Sequence, residues 1–308
     1  MATSPSNQPI RSISLPSRPH PLVPRIDEHL SRLTSLDSEV EVSSTSESQI
    51  SSLGHKLNNL KELYDVLVDF ILLPQNQQKL VQLSVAKCVD ELIDGSLKLL
   101  DVCGNVNDVL SQTKEHTQEI QSSLRRRSNG ELSIGDEVIA YMNMRKKTKM
   151  VCKKCLKDVK GMTKKSISLG EVENDENFAT IDVLRKVEGV TAAIFESLLE
   201  VISGTKAQTH KRSASLSIIM CKLILHQNID IETEEEVCVN EFDDVDSSLS
   251  SLTISQKRRI CINGFQAEIL RGKMVKLDSS VQDLEEVLEG LFRCLVRSRA
   301  TLLNILSQ

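Results

Sequence analysis

The stretch that decides the fold is residues 277–305, LDSSVQDLEEVLEGLFRCLVRSRATLLNI. Apolar side chains recur in it at alternating steps of three and four residues, which places them along one side of an α-helix. The pattern lasts about four heptads, so this seam must be buried against another part of the chain or against another subunit. In the second case the helix would join a homo-oligomer. The seam consists of Leu277, Val281, Leu284, Leu288, Leu291, Leu295, Leu302 and Ile305.

The same helical spacing occurs in much of the remaining chain, including residues 26–40, 50–71 and 77–124. Gly95 and Gly104 are expected to divide the last of these runs. With no Trp, two Tyr and six Phe, the core must consist mainly of aliphatic side chains, and 12 Gly and 7 Pro are too few turn formers for a many-stranded β fold. The sequence therefore predicts an all-α fold, with long amphipathic helices in an elongated bundle that has coiled-coil-like seams.

Composition divides the chain into four predicted parts. Residues 1–24 hold six of the seven prolines and are predicted to be a disordered arm rich in Pro, Ser and Arg. Residues 25–229 are predicted to form the helical bundle. Residues 230–256 carry nine acids and no base between positions 230 and 246, followed by serines, which predicts an exposed acidic linker. Residues 257–308 contain the heptad helix, predicted to pack on the bundle.

The most basic segment lies at residues 145–165, where ten Lys and Arg stand against the single acid Asp158. Clustered cations can bind an anionic membrane surface, and a basic helix of this kind predicts a candidate lipid-binding face. We call this set the basic face: Arg145, Lys146, Lys147, Lys149, Lys153, Lys154 and Lys157. The alternative is a solvated face that attracts the acidic linker. Nucleic acid is disfavoured as a partner, because Tyr141 is the one nearby aromatic and no reading motif is present.

Two cysteines three positions apart, Cys152 and Cys155, have the spacing of half a zinc site. Structural zinc needs four ligands, and no second pair of this kind follows, so we interpret them as ordinary helical cysteines. The sequence also lacks a recognisable motif of paired carboxylates, a nucleophile elbow or a glycine-rich phosphate loop. It therefore predicts a non-enzymatic interaction protein without a catalytic site, metal or cofactor.

The arm contains a short motif of the kind that signalling proteins bind, Arg11-Ser12-Ile13-Ser14-Leu15-Pro16. An arginine three residues before Ser14, a serine two before it and a proline two after it match the phosphoserine docking motif of 14-3-3 proteins. Phosphorylation would give Ser14 a dianion that pairs with an arginine cluster. The motif predicts a phosphorylation-controlled contact with a 14-3-3 protein through Arg11, Ser12, Ser14 and Pro16.

No apolar run is long enough to cross a bilayer, since the longest covers about ten residues where a spanning helix needs about 20. A cytoplasmic location is expected, with peripheral attachment to membranes as a further possibility. The N-terminal 26 residues hold three arginines, many serines and no acid. That composition leaves import into plastids open.

Two stretches carry a family resemblance: residues 12–21, SISLPSRPHP, and residues 284–307, LEEVLEGLFRCLVRSRATLLNILS. With the helical middle, they resemble a plant-specific helical family, a domain of unknown function related to the BYPASS developmental regulators. The resemblance implies plant origin, an all-helical fold and a role in root and shoot development. It supplies no catalytic residues that could be carried over to this chain.

Overall fold

The computed structural model describes residues 20–39, 49–84, 86–126, 132–168, 179–204, 240–255, 261–262 and 264–308. These residues form eight helices and one short pair of strands, so the predicted all-α fold is confirmed. The helices are α1 Leu22–Glu39, α2 Gln49–Ile71, α3 Pro74–Gln82, α4 Lys87–Arg126, α5 Gly135–Ser168, α6 Ala179–Ser203, α7 Glu241–Ser255 and α8 Gly264–Leu306. At 1.5 Å per residue, α4 and α8 are each about 60 Å long, which gives the bundle its elongated core.

The seam of α8 is buried within the chain. Helix α8 packs along α4 and α2, and these are the two most extensive contacts that it makes. All eight seam residues lie in the core, and Ser298, which occupies a seam position, is buried with them. Of the two partners left open by the sequence, the structure therefore shows the same chain. A second copy would have to bind α8 through residues outside the seam.

The other helices complete the bundle around this centre. α5 packs on α6 and α4, α6 also packs on α4 and α2, and α1 lies along α2. The core is aliphatic, as the composition predicts, with few aromatic exceptions such as Phe195 and Tyr64. The Tyr64 hydroxyl is satisfied by the Thr191 hydroxyl at 3.0 Å, which links α2 to α6 in the interior. Apolar burial of this kind supplies most of the stability of a packed helix, since isolated helices are marginal in water.

The predicted break of the helical run 77–124 at Gly95 and Gly104 is wrong in position. α4 continues unbroken through Gly95 and Gly104, and the break lies earlier, between Gln82 and Lys87. Gly95 has a packing role, because a Cβ at this position would collide with the Glu188 side chain of α6. Any larger residue at this position would require the Glu188 carboxylate to move aside.

A pair of two-residue strands ties two distant segments together. β1, Leu132–Ser133, lies antiparallel to β2, Cys261–Ile262, with Leu132 opposite Ile262. β1 immediately precedes α5, and β2 immediately precedes α8. The pairing therefore holds the starts of α5 and α8 near one another.

The structure corrects two predicted boundaries. Residues 241–255 belong to α7 and are not an exposed linker, because Phe242, Val245 and Leu249 are fully buried against the bundle. α1 begins at Leu22, so residues 22–24 of the predicted arm are helical. Pro24 fits there because a proline is tolerated in the first turn of a helix, whose N–H groups lack intrahelical partners.

Candidate functional site

The basic face lies on α5, a helix with an apolar side and a cationic side. Val138, Tyr141, Cys152, Cys155 and Val159 are buried toward the bundle. The lysines of the face point to solvent on the opposite side. Within the described residues, five of them make no ion pair with an acid. We call these five the open lysines: Lys146, Lys147, Lys153, Lys154 and Lys157.

Arg145 does not belong to this exposed surface, which corrects its place in the predicted lipid-binding face. Its side chain is 2% exposed, and its Nε donates to both oxygens of the Asp246 carboxylate at 2.9 and 3.1 Å. The guanidinium carbon lies 5.1 Å from the centre of the Phe242 ring, a cation–π contact. Both partners come from α7. Arg145 thus anchors α7 to α5 instead of facing a membrane.

The charges around Arg145 fix its protonation and that of its neighbour. Burial opposes the positive charge of Arg145, but Tyr141 and Asp246 outweigh it, so its pKa lies above its ordinary value. Burial, reinforced by the charge of Asp246, raises the pKa of Tyr141. The phenol therefore stays protonated and donates to Asp246 at 3.2 Å. Asp246 accepts from both side chains, as a carboxylate on a buried cation must.

Lys149 stands at the border between the buried and the exposed parts of α5. Its Nζ lies 3.3 Å from the second oxygen of Asp246, and its side chain is half-exposed. Asp246 therefore pairs with two residues of the basic face. Attraction between the basic face and the acidic segment is the alternative that the sequence left open, and here it is visible as a contact between α5 and α7.

Sequence reasoning missed α7 as the partner of Arg145. A signal for it exists in the acidic run, where Phe242, Val245 and Leu249 recur at steps of three and four residues. The density of acids and serines around them favoured a linker, and three apolar positions are a weak helical pattern. The pairing of Arg145 with Asp246 joins residues 101 positions apart, which no local pattern encodes.

The cysteine pair lies on the buried side of α5. Cys152 and Cys155 are almost wholly buried. Burial raises the pKa of Cys152 to about 11, and Arg145 offsets this only in part. At neutral pH it is a thiol, the less nucleophilic form. Among the described residues, no group of three or more His, Cys, Asp or Glu side chains is placed to hold a metal ion.

One open groove, lined by polar and charged side chains, has a volume of about 1020 Å³. It lies between α4, α5 and the side of α8. Glu285 crosses it to pair with Lys114 at 2.9 Å and to accept from Ser111 at 2.7 Å. Its lining mixes both charge signs, five acids against Lys114 and Arg126, so it offers no surface of one sign comparable to the open lysines. We therefore place the candidate site on the basic face.

The phospho-docking residues Arg11, Ser12, Ser14 and Pro16 lie outside the described residues. None of the described helices combines the length and the apolarity that a bilayer span requires.

A family model described as Protein BPS1 matches residues 56–305. The match runs from within α2 to the last turn of α8 and includes the C-terminal motif at residues 284–305. It does not include residues 12–21, the other stretch that carried the resemblance. The predicted relation to the BYPASS proteins is confirmed by this match. No curated protein and no solved structure matches the chain.

Proposed function

The chain belongs to the Protein BPS1 family, and on that premise we propose that it is a non-enzymatic interaction protein of plants that acts in root and shoot development. The helical bundle is the scaffold and the basic face is the contact surface. The observation that carries this proposal is the row of open lysines on α5. The groove beside α4 carries acids and cations side by side, whereas here five cations face solvent together.

The partner that this surface fits best is an anionic membrane, which makes the protein a peripheral membrane adaptor. Met150 is 69% exposed between the open lysines, and Ile139 is 55% exposed two turns or more before them on the same helix. An apolar side chain among cations can enter the headgroup layer while the lysines bind lipid phosphates. Each Lys or Arg near such a surface contributes on the order of 1 kcal/mol, so five give substantial affinity.

Flotation of the full chain with vesicles tests the membrane proposal. Wild type is expected to float with vesicles of phosphatidylcholine containing about a third phosphatidylserine, and not with phosphatidylcholine alone. The triple variant Lys153→Gln, Lys154→Gln and Lys157→Gln is expected to lose most of this binding. The matched control removes three exposed cations elsewhere, through Lys87→Gln, Lys98→Gln and Arg293→Gln.

Equal binding by the two triple variants would show that net charge, and not this face, attracts the membrane. If wild type floats neither with phosphatidylserine-containing vesicles nor with phosphatidylcholine vesicles, the membrane proposal is wrong. Proteins that co-purify with wild type and are lost only with the α5 triple variant would then support a protein partner with an acidic surface. A reproducible turnover abolished by one polar substitution would contradict the non-enzymatic proposal itself.

The arm supplies a second contact in this proposal, a 14-3-3 protein bound through phosphorylated Ser14. Its support is the spacing of Arg11, Ser12 and Pro16 around that serine. Tagged full chains carrying Ser14→Ala are expected to lose 14-3-3 from the co-purified proteins, whereas Ser6→Ala in the same arm keeps it. Retention of 14-3-3 by the Ser14→Ala chain would remove this contact.

A further inference from the structure

α7 is an acidic helix attached to the bundle next to the basic face. Its apolar residues Phe242, Val245 and Leu249 are fully buried. Its acids are Glu241, Asp243, Asp244 and Asp246. Most of its contacts are with α8, and smaller ones join it to α5 and α6. A short helix attached in this way depends on the cations opposite it as well as on apolar contact.

Its described ion pairs reach across to other helices. Asp246 pairs with Arg145 and Lys149 of α5 at 2.9 and 3.3 Å. Asp244 pairs with Lys273 of α8 at 2.6 Å. Salt weakens the pairs of the more exposed Lys149 and Lys273, and a polyanion can compete for these two lysines, whereas the buried pair of Arg145 is screened much less. The attachment of α7 is therefore sensitive to anions that approach the same cations.

The attachment also leaves buried charges without full hydrogen bonding. Glu241 is 3% exposed, and neither of its carboxylate oxygens has a hydrogen-bond partner among the described residues, although Lys276 lies 3.8 Å away. Both terminal nitrogens of Arg145 are buried and equally without a hydrogen-bond partner there. Burying a charge without all of its hydrogen bonds destabilises the folded state, and contact with water would remove this penalty. α7 is thus held less tightly than its apolar contacts alone would indicate.

The basic face and the attachment of α7 share one row of side chains. Arg145, Lys149, Lys153 and Lys157 follow each other at intervals of four along α5. Four residues turn a helix by one revolution plus about 40°, so the row winds from the core to solvent. Asp246 holds the first half of this row, the buried Arg145 and the half-exposed Lys149. The exposed second half is where an anionic membrane would bind.

We propose that α7 is an intramolecular competitor of the membrane, which holds Arg145 and Lys149 back from the basic face and is displaced when an anionic bilayer binds there. The proposal rests on the proposed membrane-binding function of that face. Displacement of α7 exposes Arg145 and frees Lys149, so the bound row grows from two cations to four. The same step lets water reach Glu241 and the terminal nitrogens of Arg145.

A pair of single substitutions on α8 separates this competition from a simple effect of charge. Lys273→Gln removes the partner of Asp244 and so loosens α7, whereas Arg271→Gln removes a cation of the same helix that pairs only with Glu268 among the described residues. Net charge alone predicts weaker vesicle binding for both. Competition by α7 predicts that Lys273→Gln binds phosphatidylserine vesicles at least about fivefold more tightly than Arg271→Gln, the gain from about one additional cation at the surface.

Hydrogen exchange of the backbone amides in residues 242–255 supplies the second measurement. In wild type, anionic vesicles are expected to increase exchange in α7, while neutral vesicles leave it unchanged. Lys273→Gln is expected to show increased exchange without vesicles, with α2 and α4 still protected, which establishes that the bundle remains folded.

Equal vesicle affinity of the two single variants, or an α7 that stays protected on bound vesicles, overturns the competition. If this occurs while the triple variant at Lys153, Lys154 and Lys157 still abolishes binding, the basic face remains a membrane site and only the role of α7 is wrong. If wild type does not bind anionic vesicles, both proposals fall together.

Discussion

The seam of α8 and the basic face of α5 are both periodic patterns on long helices, but the first is buried and the second is mostly exposed. The seam finds its partner inside the same molecule, between α2 and α4. The basic face is buried only at Arg145, and α7 supplies one carboxylate that pairs with Arg145 and Lys149. Apolar surface is driven out of water wherever a complementary surface exists, whereas lysine side chains are already well solvated. The comparison indicates that α8 stabilises the bundle, and it supports the proposal that α5 binds a partner.

The largest effect is expected in the seam. Leu288→Ala removes a fully buried side chain from the middle of α8 and leaves a cavity, which costs about 2 to 5 kcal/mol of unfolding free energy. Leu303→Ala, on the same helix but 40% exposed, is the matched control and should cost far less. Urea unfolding followed by circular dichroism measures both. Equal losses would mean that the seam is not the stabilising element of α8.

A smaller loss is expected at the junction between the two regions. Asp246→Ala leaves the Arg145 guanidinium buried without its carboxylate, a change that costs about 3 kcal/mol or more where the charge cannot reach water. Release of α7 offers that charge a route to water, so the loss should appear first as increased hydrogen exchange in α7. Asp278→Asn on α8 is a suitable control, because this carboxylate accepts only from exposed Gln118 among the described residues. A variant that keeps wild-type protection in α7 would show that Asp246 does not hold the helix.

The smallest effect on stability is expected on the basic face. Neutralising Lys153, Lys154 and Lys157 together should shift the melting temperature by no more than about 2 °C, because solvated surface charges contribute little to folding. The same substitutions are expected to remove most of the binding to anionic vesicles. A large loss of melting temperature would place these lysines among the stabilising residues and end the contrast with α8.

Much of the fold follows from local patterns, because each long helix repeats its apolar residues at helical spacing. The seam of α8 extends over many turns, and a signal of that length is hard to misread. α7 shows the opposite case. Its three apolar residues lie among acids and serines, so composition outweighed periodicity and indicated a linker where tertiary packing makes a helix. The same limit applies to Gly95, where a glycine that indicates a break in the sequence lies inside a continuous helix.

The sequence predicts which cations lie on the candidate site, but it does not predict which of them are exposed and which are buried. Lys146, Lys147, Lys153 and Lys154 are exposed where the sequence places a basic face. Arg145 is adjacent to Lys146 in sequence, yet it is buried, because one residue turns a helix by about 100° and carries the side chain from solvent into the bundle. Whether a cation at that border is exposed depends on what packs above it.

The amino-acid sequence by itself determined that the chain is all-α, that α8 has one side that must be buried, and that α5 carries a dense row of cations. These properties are local, since periodicity and charge are set by residues a few positions apart. Only the tertiary structure decided that the seam packs on α2 and α4 of the same chain, and that Asp246 removes Arg145 from the cationic surface. Both outcomes join residues far apart in sequence, where the free energy of packing and desolvation, and not local spacing, selects the partner.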